Sequence, residues 1–142
     1  MAKAIALGTK LLIENDEDPA EFVAVGNLTS IGVPGPEKGE VDSTDFDSEA
    51  VESLPTLPDN GEFEFAGNLN EGDAGQALAF ADANDADAPV RNMKIQFTRQ
   101  DVEYLFTGWV KRFRPTAPGP QQLYTFTGSI RVSGAVTKGA IA

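Results

Sequence analysis

Four stretches of this chain alternate apolar and polar residues with a period of two, and no other feature constrains the fold as much. In "GEFEFAGN", Phe63 and Phe65 fall on one side of an extended backbone and Glu62 and Glu64 on the other. Met93, Ile95 and Phe97 alternate with Lys94, Gln96 and Thr98, and Tyr104, Phe106 and Val110 alternate with Glu103, Thr107 and Lys111. Tyr124, Phe126, Ile130 and Val132 alternate with Thr125, Thr127, Ser129 and Arg131. Strands wet on one face and dry on the other belong in antiparallel sheets. Nine Phe, one Trp and two Tyr supply the bulk for such a core, and 142 residues suffice for one core of moderate size, so a single domain over 1–142 is expected. Shorter strands are expected at Leu11–Ile13 and, unbroken, from Phe22 to Ile31. The turn "NDEDPAE", punctuated by Pro19, separates them. The Pro-rich "RPTAPGPQQ" reads as a rigid turn in a long hairpin.

One segment departs from this pattern. After "EFEFAGN" the chain runs through "LNEG" into "DAGQALAFADAN". Asp73 is placed to cap a helix and Gln76, three residues on, to reach back as in a capping box. At 100° per residue, Phe80, Ala81, Ala77, Ala74 and Leu78 share an arc of roughly 160°, which predicts that this side lies on a sheet. "DANDADAP" ends the helix at Pro89. Its acids do not make a calcium loop, because counting from Asp82 the fifth position is Ala86 and the sixth is Asp87.

Residues 32–60 differ in character, with Pro34, Pro36, Pro55 and Pro58, many acids and one short strand expected at Glu40–Thr44. A connection that long inside a small domain has a function or is disordered. Asn60-Gly61 closes it as a turn dipeptide, since both residues tolerate positive φ.

With no Cys and no His, disulfides, thiolate metal sites and imidazole acid–base chemistry are excluded. Neither Thr44 nor Ser48 has a histidine base, and no phosphate-cradling Gly-rich loop is present. Glu62 and Glu64 have the spacing of a carboxylate pair, but alternating Glu and Phe is what any half-exposed strand shows. No enzyme activity, cofactor or metal is expected. The opening "MAKAIALGTKLLIE" lacks the apolar stretch and cleavage site of an export signal, and no window approaches the ~20 apolar residues of a membrane span, so a cytoplasmic soluble protein is expected.

The net charge of −11 disfavours a nucleic-acid binder. It is divided unevenly: residues 1–73 carry −14 and residues 74–142 carry +3. That asymmetry suits either complementary surfaces on neighbouring copies or an acidic solvated region beside an ordinary sheet. Lys111, Arg112 and Arg114 around Phe113 read as surface or subunit contacts rather than a nucleic-acid patch. Leu105 and Trp109, apolar on an otherwise polar face, either cover the helix or are buried by another subunit.

In order along the chain, "GNLTSIGVPGPEKGEVDSTDFDSEA", "LPTLPDNGEFEFAGNLNEGDAGQALAFAD" and "YLFTGWVKRFRPTAPGPQQLYTFTGSIRVSG" resemble the major tail tube proteins of long-tailed bacteriophages. The resemblance covers roughly residues 24–134. It implies a mainly β fold: a β-sandwich or curled antiparallel sheet with one flanking helix, whose inner strands close a barrel in a hexameric ring. Rings stacked into a tube would conduct DNA in transit, with the tape measure protein, the tail terminator and distal tail or baseplate proteins as partners. Such a protein is assembled in the host cytoplasm and ends in the virion tail.

The resemblance also assigns residues. The loop at about 32–60 would reach the next ring through Val33, Pro34, Val41, Asp45, Phe46, Asp47, Leu54 and Leu57. Glu62 and Glu64, or the row Thr125, Thr127 and Ser129, are candidates for the lumen. Leu105, Trp109, Lys111, Arg112 and Arg114 are candidates for subunit contacts, and Asp73, Gln76, Leu78 and Phe80 for a helical buttress. The alternatives are a tube subunit of a contractile tail or secretion apparatus and, in another class, a carbohydrate-binding β-sandwich using Trp109 and Tyr104.

Overall fold

The computed structural model describes residues 4–17 and 19–141; Met1 to Lys3, Ala142 and Asp18 of the expected "NDEDPAE" turn lie outside them. Among the described residues, nine strands and one helix occur in order: β1 (Lys10–Glu14), β2 (Phe22–Ala24), β3 (Leu28–Ile31), β4 (Glu37–Asp42), β5 (Ser53–Asp59), β6 (Glu62–Asn68), α1 (Ala74–Asn84), β7 (Arg91–Phe97), β8 (Val102–Thr116) and β9 (Thr125–Ala140). Seven strands form one antiparallel sheet in the order β2-β1-β7-β8-β9-β6-β3, and β4 pairs with β5 alone.

The strand order contains its own closure constraint. A flat seven-stranded sheet holds its outer strands about 28 Å apart at ~4.7 Å per spacing. Here the outer strands β2 and β3 are joined only by Val25, Gly26 and Asn27, a link of roughly 14 Å at full extension. The sheet therefore curls over itself until its edges nearly meet. The strand expected to run unbroken from Phe22 to Ile31 is two strands on opposite edges. Asn27, with φ at 61°, makes the corner between them, a conformation Asn tolerates better than most residues.

The concave side is the core. Leu11, Ile13, Met93, Ile95, Phe126 and Ile130 are fully buried, and the rings of Phe63, Phe65, Phe106 and Phe113 pack with them. Phe113 stacks on Phe126 at 4.9 Å, while Phe63 meets Phe106 edge-on at 5.5 Å. The period-two expectation holds for β6 and β7, but the β8–β9 ladder is irregular twice: opposite Leu105 to Thr107 the extra residues lie in β9, between Ser133 and Thr137, and between Val110 and Arg112 the extra residue is Lys111 of β8. The inward set of β8 becomes Phe106, Gly108, Val110 and Phe113. Glu103, expected on the wet face, is buried and accepts a hydrogen bond from Gln96 at 3.1 Å.

Helix α1 begins where expected, with the Asp73 side chain accepting from the Gln76 N–H at 2.9 Å. Its buried face differs from the expected one. Gly75, Gln76 and Ala79 are buried, whereas Ala74, Ala77 and Ala81 are exposed, Phe80 is half-exposed and Leu78 is half-buried. The reason is the seam between β2 and β3. Asp73 also accepts from the Gly26 N–H, and the Gln76 amide donates to the carbonyls of Gly26 and Asn68 and accepts from Asn70 N–H. Gln76 therefore does not fold back on the cap residue, whose own N–H is taken by the Asn70 carbonyl. The polar side faces inward because the seam leaves unpaired backbone groups that an alanine face cannot satisfy.

Gly75 sits where a Cβ would run into the Ala24 carbonyl. Gly75→Val is expected to destabilise by about 1–3 kcal/mol through overpacking against backbone that cannot yield. Ala77→Ser, two residues on at an exposed position, should cost about 0.5 kcal/mol. Denaturant midpoints of the two variants check this, and equal shifts would contradict the seam packing.

Candidate functional site

Two surfaces stand out, a projecting hairpin and the convex face of the long β8–β9 ribbon. Residues expected as a loop with one short strand form the β4–β5 hairpin instead, and its strands carry Pro55 and Pro58. A two-stranded sheet has only edges, where a missing N–H is tolerated. Every residue of β4 and β5 is exposed, so none adds to the core. At the tip, Ser48 donates to Asp45 and Glu52, and Thr44 exchanges hydrogen bonds with the Glu52 backbone. Phe46 and Leu57 are exposed at 109% and 87%, and Val41 and Leu54 at more than half. Asp45 and Asp47 flank Phe46 and are also exposed. Val33 and Pro34 belong elsewhere: they are half-buried and buried at the root. Asn60 anchors that root by donating to the Gly134 carbonyl at 2.7 Å, and of the Asn60-Gly61 pair only Gly61 takes positive φ.

On the convex face the register sets side chains in rows across β6, β9 and β8. Glu62, Arg131 and Trp109 form one row, Glu64, Ser129 and Arg112 the next, then Ala66, Thr127 and Arg114, then Asn68, Thr125 and Thr116. Residues expected in two separate roles, Glu62 and Glu64 for the lumen and Lys111, Arg112 and Arg114 for subunit contacts, share one surface. Lys111 donates to Glu62 at 2.9 Å, Arg112 meets Glu64 at 3.4 Å and Arg131 meets Asp59 at 3.2 Å. The hydrogen bond from Lys111 and its charge hold the Glu62 carboxyl below its usual range. A general acid needs the opposite shift. Asp59 is lowered by the Gly61 N–H and by Arg131. Ser129 does not present an open surface: it lies buried between Glu64 and Arg112. Thr127 is exposed and Thr125 half-buried. Leu105 and Trp109 are exposed at 39% and 40%. Tyr104 is engaged edge-on by Phe97 at 5.4 Å.

Arg91 was not singled out by the sequence, yet it ties three segments together. It is buried at the start of β7, pairs with both oxygens of Asp16 at 2.8 and 2.9 Å, forks onto Asp82 of α1 and donates to the Glu14 carbonyl. A bidentate guanidinium suits that arrangement and an ammonium does not. Asp59 and Arg131 were also missed. For Arg131 the signal existed, since period two places it on the face of Thr127 and Ser129. Among the described residues no group of acids is arranged to hold a metal, and no helix is long and apolar enough to cross a membrane.

No protein-family model matches the chain, and no curated protein does. Solved structures do. The tube–sheath complex of an extracellular contractile injection system superposes with a TM-score of 0.71 at 6% identity, over 94% of this chain and 88% of its own. The tail of a gene transfer agent gives 0.66 at 15% identity, over 92% and 96%. The SPP1 tail tube gives 0.62 at 17% identity, over 94% and 77%.

The chain has the tail-tube fold. The expected class, a curled antiparallel sheet with one flanking helix, is what the structure shows. In this tail-tube fold the hairpin and the convex ribbon face are the surfaces not committed to the core. The strand edges add a third: from Trp109 to Thr116, β8 is paired only with β9, and β3 is paired only with β6.

Proposed function

We propose that this protein is a structural subunit that polymerises as stacked hexameric rings into a tail tube through which DNA is delivered. The observation that carries the reading is the superposition of nearly the whole chain on components of tubes from three kinds of particle. The free edges of β8 and β3 support ring closure, because an unpaired strand edge takes another strand as its cheapest partner. The hairpin supports stacking, with Phe46, Val41, Leu54 and Leu57 as contacts that find apolar neighbours only on another copy. Leu105 and Trp109 are assigned to the same kind of contact, and Asp73, Gln76, Leu78 and Phe80 brace the sheet behind it.

Structural neighbours that include a tube terminator, a cap and a baseplate support end-capping partners of that type, and a tape measure protein belongs to the same reading. The corresponding location is a virion tail assembled in the host cytoplasm. The fold serves phage-like and contractile injection particles alike. Electron microscopy of the concentrated chain tests the proposal: hollow tubes of constant diameter are expected, and a chain that stays monomeric at every concentration and salt would overturn it.

A further inference from the structure

On the convex face of the β8–β9 ribbon, we infer that Asp59, Glu62 and Glu64 mask three of a ladder of four cations, so that a nucleic-acid duplex meets too little free base to grip. This rests on the proposed conduit and names the residues that would keep it non-adhesive. Lys111, Arg112, Arg114 and Arg131 share that face, with the indole of Trp109 in the Arg131 row. Four cations beside an exposed aromatic ring have the composition of a phosphate-binding surface. The chain's overall charge of −11 does not describe this face, which holds more bases than acids.

Three of the four bases are each taken by one carboxylate: Lys111 by Glu62, Arg112 by Glu64 and Arg131 by Asp59. Arg114 has Thr127 and Ala66 in its row and no ion pair among the described residues. A phosphate that approaches must displace an acid already seated, and the counterion release that drives duplex binding is largely lost because the protein supplies its own counterions. All three pairs are exposed, so they add little to folding stability. Removing the acids leaves the fold in place.

The test uses the dilute, unassembled full chain and a short blunt DNA duplex. Wild type is expected to bind too weakly to detect at about 50 mM salt, a condition that favours phosphate contacts. The triple variant Asp59→Asn, Glu62→Gln, Glu64→Gln should bind, with log K falling against log salt at a slope of about −4, one contact for each of the three cations released and one for Arg114. Glu62→Gln alone should show a slope of about −2. The control Glu17→Gln, Glu71→Gln, Asp87→Asn changes net charge equally at acids without an ion pair among the described residues, and it should behave as wild type. Equal binding by the two triple variants, or no gain in the first with its circular dichroism unchanged, would overturn the masking. Either result leaves tube formation untouched, and a chain that forms no tubes leaves this measurement valid.

Discussion

Removal of the β4–β5 hairpin is expected to abolish tube formation while the sheet still folds. Replacing residues 38–58 with a short Gly-Ser turn removes no buried residue, so no core contact is lost. The root stays closed, because Asn60 still donates to Gly134 and Val132 to the Gly61 carbonyl. Stability should change by no more than about 1 kcal/mol. The loss is confined to an apolar tip rimmed by acids, with eight acids and one base between Glu37 and Asp59. Such a surface ordered against a second copy contributes contact energy and register together. Negative-stain images of wild type and variant at equal concentration, with thermal melts alongside, decide the point. Full-length tubes from the truncated chain would mean that stacking does not run through the hairpin.

Arg91→Ala is expected to cost about 3–5 kcal/mol, because it strands the Asp82 carboxylate, 8% exposed, without its cation. For a chain of this size that corresponds to a fall in Tm of roughly 10–20 °C. Replacing both partners with apolar residues, Arg91→Met with Asp82→Leu, should recover most of the loss, since the penalty lies in the orphaned charge.

The same cluster fixes a pH dependence. Hydrogen bonds from Arg91 hold the Asp16 carboxyl below its usual range, and Asp42, held by Thr44, is shifted the same way. A depressed carboxylate stabilises fully above its unfolded pKa, and that contribution disappears as pH falls through the folded value. Wild type should therefore lose stability below about pH 4. The decline should be shallower in Arg91→Ala, whose Asp16 no longer titrates with a shift. Parallel acid-unfolding curves would count against Arg91 as the cause.

Period two was enough to place Phe63, Phe65, Met93, Ile95, Phe126 and Ile130 in one core, because a strand's side chains have only two directions. It failed in β8 at Lys111, the extra residue that reverses parity between Val110 and Phe113, and it did not foresee that Glu103, opposite Gln96 in an unbroken β7–β8 register, is buried. The helix was legible in its start and not in its orientation. An alanine face predicts burial only when apolar area decides the packing. At Gly26 and Asn68 the seam needed hydrogen-bond partners, which Gln76 and Asp73 supply. Proline-rich text concealed the hairpin, because Pro excludes central strands and is indifferent to edges.

Sequence by itself determined the class of fold, the exclusion of thiol and imidazole chemistry, and the surplus of acid in the first half. Those depend on residue identity and nearest-neighbour geometry, which need no partner across the chain. Tertiary structure alone decided which charges meet. Glu62 and Lys111 are 49 residues apart, Asp16 and Arg91 75, and Gly26 and Gln76 50. Contacts at such separations are set by strand order and register, and a single-residue slip of β6 would turn Glu62 away from Lys111 to the opposite face.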